Sequence, residues 1–207
     1  MISLNTYINE WKLTDDSIKN VYNKEVIYKY FPKTKEELQD LIIERLKKNT
    51  KNPYLLDIDT SNIEDFSMLF SCYQASYLRK TTDIDVNKIE IIDLSTWITD
   101  YISAVDEMFC ECHSLKKVYF SGWNTENIER FELMFDECES LEYLDLSDFD
   151  LSYAEDTHCM FRNCTSLKKI KGIEDWNIDN IDDMNNMFLN CDDCVLPSWY
   201  DRNYWEN

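Results

Sequence analysis

Glycine, proline and histidine are scarce in this chain of 207 residues: there are 2, 3 and 2 of them. So little glycine and proline excludes a collagen-like, linker-like or low-complexity polypeptide. Gly122 and Gly172 are the only glycines and lie far apart, so a glycine-rich phosphate loop cannot be built. With His113 and His158 as the only histidines, and no nucleophile elbow or kinase signature, the chain is expected not to be an enzyme, with no catalytic residues and no cofactor. Basic residues are also few, 21 against 41 acidic ones, for a net charge of −20. No apolar run approaches the roughly 18 residues of a membrane span, so no membrane partner is expected. The start, Met1-Ile2-Ser3-Leu4-Asn5-Thr6, has no basic stretch followed by an apolar one. A cytoplasmic location is therefore the expectation, ahead of a secreted or surface one.

What is present is a sizeable apolar complement, 44% hydrophobic and 14% aromatic, which suits a packed core and argues against disorder. The charge is unevenly placed. Residues 1–56 hold 10 Lys/Arg and 8 Asp/Glu, a net of +2, whereas residues 57–207 hold 11 and 33, a net of −22. An acidic surface of this kind repels nucleic acid, so direct nucleic-acid binding is not expected; it suits a basic protein partner, or simply solubility.

A repeat organises the acidic part. Met108-Phe109, Met134-Phe135, Met160-Phe161 and Met187-Phe188 recur at steps of 26, 26 and 27 residues. Four positions after each Met stands Cys112, Cys138, Cys164 or Cys191. Eleven before it stands Trp97, Trp123, Phe149 or Trp176, preceded at three residues by Leu94, Phe120, Leu146 or Ile173. A further column reads Ile102, Ile128, Ala154, Ile181. An imperfect earlier unit contains Ile58, Ile63, Phe66 and Leu69-Phe70, with Cys72 one residue early and an insertion near 73–87.

Apolar residues at Leu141, Leu144 and Leu146 follow the strand segment of a leucine-rich repeat, and Leu115, Val118 and Phe120 repeat them. The spacing of Ile128, Phe131, Met134 and Phe135 by three and four predicts a short helix. The expected fold is therefore α/β: a leucine-rich-repeat-like solenoid with one short parallel strand and one short helix per repeat. One unit cannot bury its own apolar face, so stacking must supply the core.

Residues Met134-Phe135-Asp136-Glu137-Cys138-Glu139-Ser140-Leu141-Glu142-Tyr143-Leu144-Asp145-Leu146-Ser147, and Trp176-Asn177-Ile178-Asp179-Asn180-Ile181-Asp182-Asp183-Met184 leading to Met187-Phe188, resemble the BspA-like leucine-rich-repeat surface-protein family. The resemblance covers residues 54–195 and implies stacked repeats of about 26 residues that bind proteins.

The flanks read as covers. Residues 1–53 are expected to form a helical N-terminal cap: Thr34 and Glu37 make a capping box, and Leu38, Leu41, Ile42 and Leu46 share one helical face. Tyr7, Ile8 and Trp11 suggest an earlier helix. Residues 196–207, with Trp199, Tyr200, Tyr204 and Trp205, are an aromatic cap or a partner-binding tail. The eight cysteines are read as buried thiols, with zinc ligation and disulfides as the alternatives and no metal site expected; Cys110 and Cys159, off the column, are expected to be exposed.

Two functions follow as expectations. The first is a non-catalytic protein–protein interaction module on an acidic solenoid, with Glu129, Glu132, Asp182 and Asp183 as the partner-binding residues. The second is a phage-borne acidic inhibitor, anti-CRISPR or another nucleic-acid mimic, that occupies the basic groove of a host defence enzyme. Partner identity and oligomeric state are not written in the sequence.

Overall fold

The computed structural model describes residues 26–73, 77–78 and 84–206. The segment containing Tyr7, Ile8 and Trp11, and most of the insertion after Tyr73, lie outside the described residues.

Helix α1 spans Lys35–Lys48. Its first turn is closed as the sequence predicts. The Thr34 hydroxyl accepts from the Glu37 amide at 3.3 Å, and the Glu37 carboxylate reaches back to the Lys33 amide at 2.7 Å. Lys47 and Lys48 lie in the last turn, where the helix dipole favours positive charge. Leu38, Ile42 and Leu46 are fully buried. Arg45 fixes the helix to the first unit. Its guanidinium is 3.1 Å from the buried Asp57 carboxylate and sits over the Tyr30 ring at 4.6 Å.

The repeat then lays successive units side by side. Strand β1 (Ile91–Asp93) pairs in parallel with β2 (Lys117–Tyr119), and β3 (Tyr143–Asp145) with β4 (Lys169–Lys171). Each partner lies 26 residues along, as the repeat length requires. Only the middle residue of each strand, Ile92, Val118, Leu144 or Ile170, is buried, because alternate side chains leave opposite faces. The strands therefore carry one core residue each, and the remaining contacts come from the turns.

The expected helix at Ile128–Phe135 is not formed; consecutive tight turns occupy that place in every repeat. The reason lies in the backbone amides. Glu107, Phe109 and Glu111 donate across to the carbonyls of Glu132, Met134 and Asp136, at 3.0, 2.9 and 2.8 Å. The amides between them, of Met108, Cys110 and Cys112, donate three residues back, each at 3.1 Å. An α-helix would use all of them internally and leave none for the neighbouring unit. Holding this alternation requires a left-handed residue at two points per repeat. One column is Met68, Glu107, Leu133, Cys159 and Asn186, and the other is Glu111, Glu137, Asn163 and Asn190. Spacing of apolar residues by three is common to turns with i→i−3 bonds and to helices, which is why the pattern misleads.

The repeat columns point inward. Phe70, Phe109, Phe135, Phe161 and Phe188 are fully buried and stacked, with centroids 5.3–5.6 Å apart. Met108, Met134, Met160 and Met187 are fully buried, and Trp97, Trp123, Phe149 and Trp176 nearly so. Trp97 and Trp123 each donate their indole N–H to a carbonyl of the preceding unit, Leu55 and Leu94. Trp176 Nε1 has no such acceptor. Its unit contains the 27-residue step, taken up by Gly172 at φ +88° and the turn Ile173–Asp175. At the C-terminal end Tyr200 meets Phe188 edge-on at 4.9 Å and Trp199 lies against Trp176, followed by the single turn α2 (Arg202–Trp205).

All eight cysteines are buried. The column thiols form a ladder. Cys112, Cys138, Cys164 and Cys191 each donate to the carbonyl of the preceding unit's Phe, Phe70, Phe109, Phe135 and Phe161, at 2.8–3.2 Å. The early Cys72 still joins it, with its sulfur 3.6 Å from that of Cys112. Cys110 and Cys159 are not exposed as expected; each is 5% exposed. The alternating turn sends both off-column side chains under the next unit.

Candidate functional site

The turn side of the stack carries most of the predicted acidic residues, and the cross-unit bonds set their register. Glu155 and Asp182 donate their amides to the carbonyls of Glu129 and Glu155, at 2.7 and 2.8 Å. Glu129, Glu155 and Asp182 thus stand on adjacent rungs, and all three side chains are exposed. Beside Glu129, Tyr153 projects 67% exposed from the next unit, and the two, with Glu126 and Asn127, line a shallow depression of about 350 Å³.

The second rung inward differs. Arg130, Asp156 and Asp183 pair by parallel bridges. Asp183 is half-buried, and its carboxylate accepts from the Asn185 amide at 2.8 Å, a local turn. Glu132 is also half-buried and ion-paired to Arg130. The four predicted partner-binding residues therefore divide: Glu129 and Asp182 share the exposed ladder, whereas Glu132 and Asp183 sit lower, engaged by their own chain. Asp136, which spacing would place on the same outward stripe, is only 3% exposed and is held by Arg162.

Below the ladder four carboxylates and a histidine converge. The repeat places Asp106, Glu132 and His158 on one column at steps of 26, and Asp156 two residues before the histidine. His158 Nδ1 is 2.9 Å from Asp156 Oδ1 and 3.7 Å from Glu132 Oε2. Asp106 Oδ1 is buried without a hydrogen-bond donor, 3.9 Å from Arg130 Nε. Burial pushes the Asp106 carboxyl up to about 6, against the pull of Arg130 and with the push of Glu132, Asp65 and Asp156. Among the described residues, Glu132, Asp156 and His158 are the one group of three metal-competent side chains whose ligand atoms lie within 4.8 Å of one another. Sequence reading took Glu132 and His158 separately. The signal that joins them is their common distance of one repeat.

Stacked turns joined by parallel rungs, with the acidic edge outward, define a repeat-built chain. The family model described as Mycoplasma protein of unknown function, DUF285, matches residues 78–197, more than half of the chain. The chain belongs to that family. No curated protein and no solved structure gives a match.

Proposed function

We propose that the chain is a non-catalytic protein–protein interaction module, in which the stacked units form one leucine-rich-repeat solenoid of the BspA-like kind. The observation that carries this reading is the exposed ladder of Glu129, Glu155 and Asp182 on adjacent rungs, flanked by Tyr153. Regular spacing of one negative charge per unit favours an extended basic surface over a small ligand, and an exposed tyrosine supplies the apolar contact that interfaces favour. The family's association with BspA-like surface proteins is consistent with this reading. Membership of the finer repeat family is part of the proposal.

The test is a pull-down from the source host followed by binding measurements on the captured partner. Binding should weaken steeply with salt, because exposed charges are screened over about 8 Å at physiological ionic strength. Reversal of Glu129, Glu155 and Asp182 to Lys should abolish binding without loss of thermal stability, since none of the three is buried. Competition by DNA or RNA would favour the nucleic-acid-mimic inhibitor. Binding indifferent to both salt and reversal would exclude the ladder as the interface.

A further inference from the structure

We propose that Glu132, Asp156 and His158 form a binding site for a divalent transition ion of the zinc class. The donor set comes from two successive units. Asp156 and His158 lie on one turn, two residues apart, and Glu132 reaches them from the unit before. The distances suit an ion. Bonds of about 2.1 Å to nitrogen and oxygen put neighbouring ligand atoms about 3.0 Å apart in an octahedron and about 3.4 Å apart in a tetrahedron. The observed 2.9 Å from His158 Nδ1 to Asp156 Oδ1, and 3.7 Å to Glu132 Oε2, bracket those values.

The surroundings orient the ligands. Arg130 pairs with Glu132 Oε1, which leaves Oε2 as the oxygen nearer the imidazole. The Asp156 carboxylate also accepts from the His158 backbone amide at 2.9 Å, which holds the Asp-x-His turn in a chelating shape. At 3.7 Å, Glu132 Oε2 is beyond hydrogen-bond reach of Nδ1, so the imidazole serves one carboxylate and not the other. Asp106 Oδ1, buried on the same column with no donor, adds a negative charge that Arg130 alone does not balance. An imidazole among carboxylates selects zinc, manganese or nickel over magnesium or calcium, which prefer all-oxygen shells. Binding replaces the Nδ1 proton by the metal, and the proton leaves to solvent.

The experiment uses the full chain, stripped with a chelator and titrated calorimetrically with Zn²⁺. One equivalent should bind, and His158→Ala should lower the affinity by at least about 100-fold, beyond the 10–100-fold that loss of an outer partner costs. Co²⁺ in place of Zn²⁺ should give a spectrum without thiolate charge transfer, which separates this site from the cysteine ladder. Mn²⁺ added to the isotopically labelled wild-type protein needs no variant; it should broaden the amide signals of residues 130–132 and 156–158 first. Binding unchanged in His158→Ala, a thiolate band, broadening centred elsewhere, or no stoichiometric binding would each overturn the site.

Discussion

Arg162 grips Asp136 from the next unit along, Nε to Oδ1 at 2.8 Å and Nη2 to Oδ2 at 2.6 Å, across one repeat of 26 residues. The carboxylate is almost wholly buried and the guanidinium one-third exposed. Hydrogen bonding to that carboxylate raises the Arg162 pKa above its ordinary value, so the pair stays charged at any working pH. Removing one partner leaves the other charge without compensation. Asp136→Ala should therefore destabilise the protein by about 3–5 kcal/mol, whereas Asp136→Leu combined with Arg162→Met should cost much less. Denaturant unfolding of the two variants makes the comparison.

The two glycines should respond differently to substitution. Both have positive φ, +81° at Gly122 and +88° at Gly172. A Cβ at Gly172 would come within 2.5 Å of the Ser147 Cα, but at Gly122 it would meet nothing within 4 Å. Gly122→Ala should cost about 1 kcal/mol, from backbone strain alone. Gly172→Ala should cost clearly more and loosen the coupling of β3 to β4, visible as faster amide exchange at Leu146, whose N–H donates to Lys171.

The thiol ladder makes a prediction about reactivity. Burial pushes the thiols of Cys112, Cys138 and Cys164 well above the ordinary range and that of Cys194 up to about 12. A thiol-labelling reagent acting on the thiolate should find the native protein nearly inert at neutral pH, with Cys194, the most exposed of the eight at 9%, modified first. Unfolding should expose all eight. Cys138→Ala removes the donor to the Phe109 carbonyl and leaves a small void, for a loss of about 1–3 kcal/mol.

Asp106 gives the stability a pH dependence of definite sign. Its folded pKa of about 6 lies above the ordinary carboxylate value of 3.8. The folded state therefore holds the proton more tightly than the unfolded one. The resulting penalty is absent below pH 3.8, grows as pH rises from there to about 6, and is complete above it. Asp106→Asn should raise the melting temperature at pH 7.5, and that gain should vanish at pH 3.5. A gain that is constant across this range would mean that packing, not charge, sets the effect.

Repeat arithmetic reveals a large part of this molecule. The Met-Phe, Trp/Phe and Cys columns are core residues because a side chain repeated every 26 residues meets its own copy in the next unit, and only apolar or small groups tolerate that enclosure. The capping box at Thr34 and the buried face of α1 are equally local, set by hydrogen bonds and spacing within one element. Three things needed the tertiary structure. The turns at 128–135 compete with a helix of the same apolar spacing, and the rival is excluded only when the neighbouring unit claims every second amide. The fate of each acid depends on its rung: Glu129 faces water, Asp136 is drawn inward by Arg162, and Glu132 is turned toward His158, although all three are acidic residues of one repeat. Cys110 and Cys159, polar-flanked and off the column, are buried by coils that follow them. Periodicity tells which residues recur and so which must pack. The environment of a residue that recurs with a different neighbour in each unit is decided by the stack, because its partners come from another repeat.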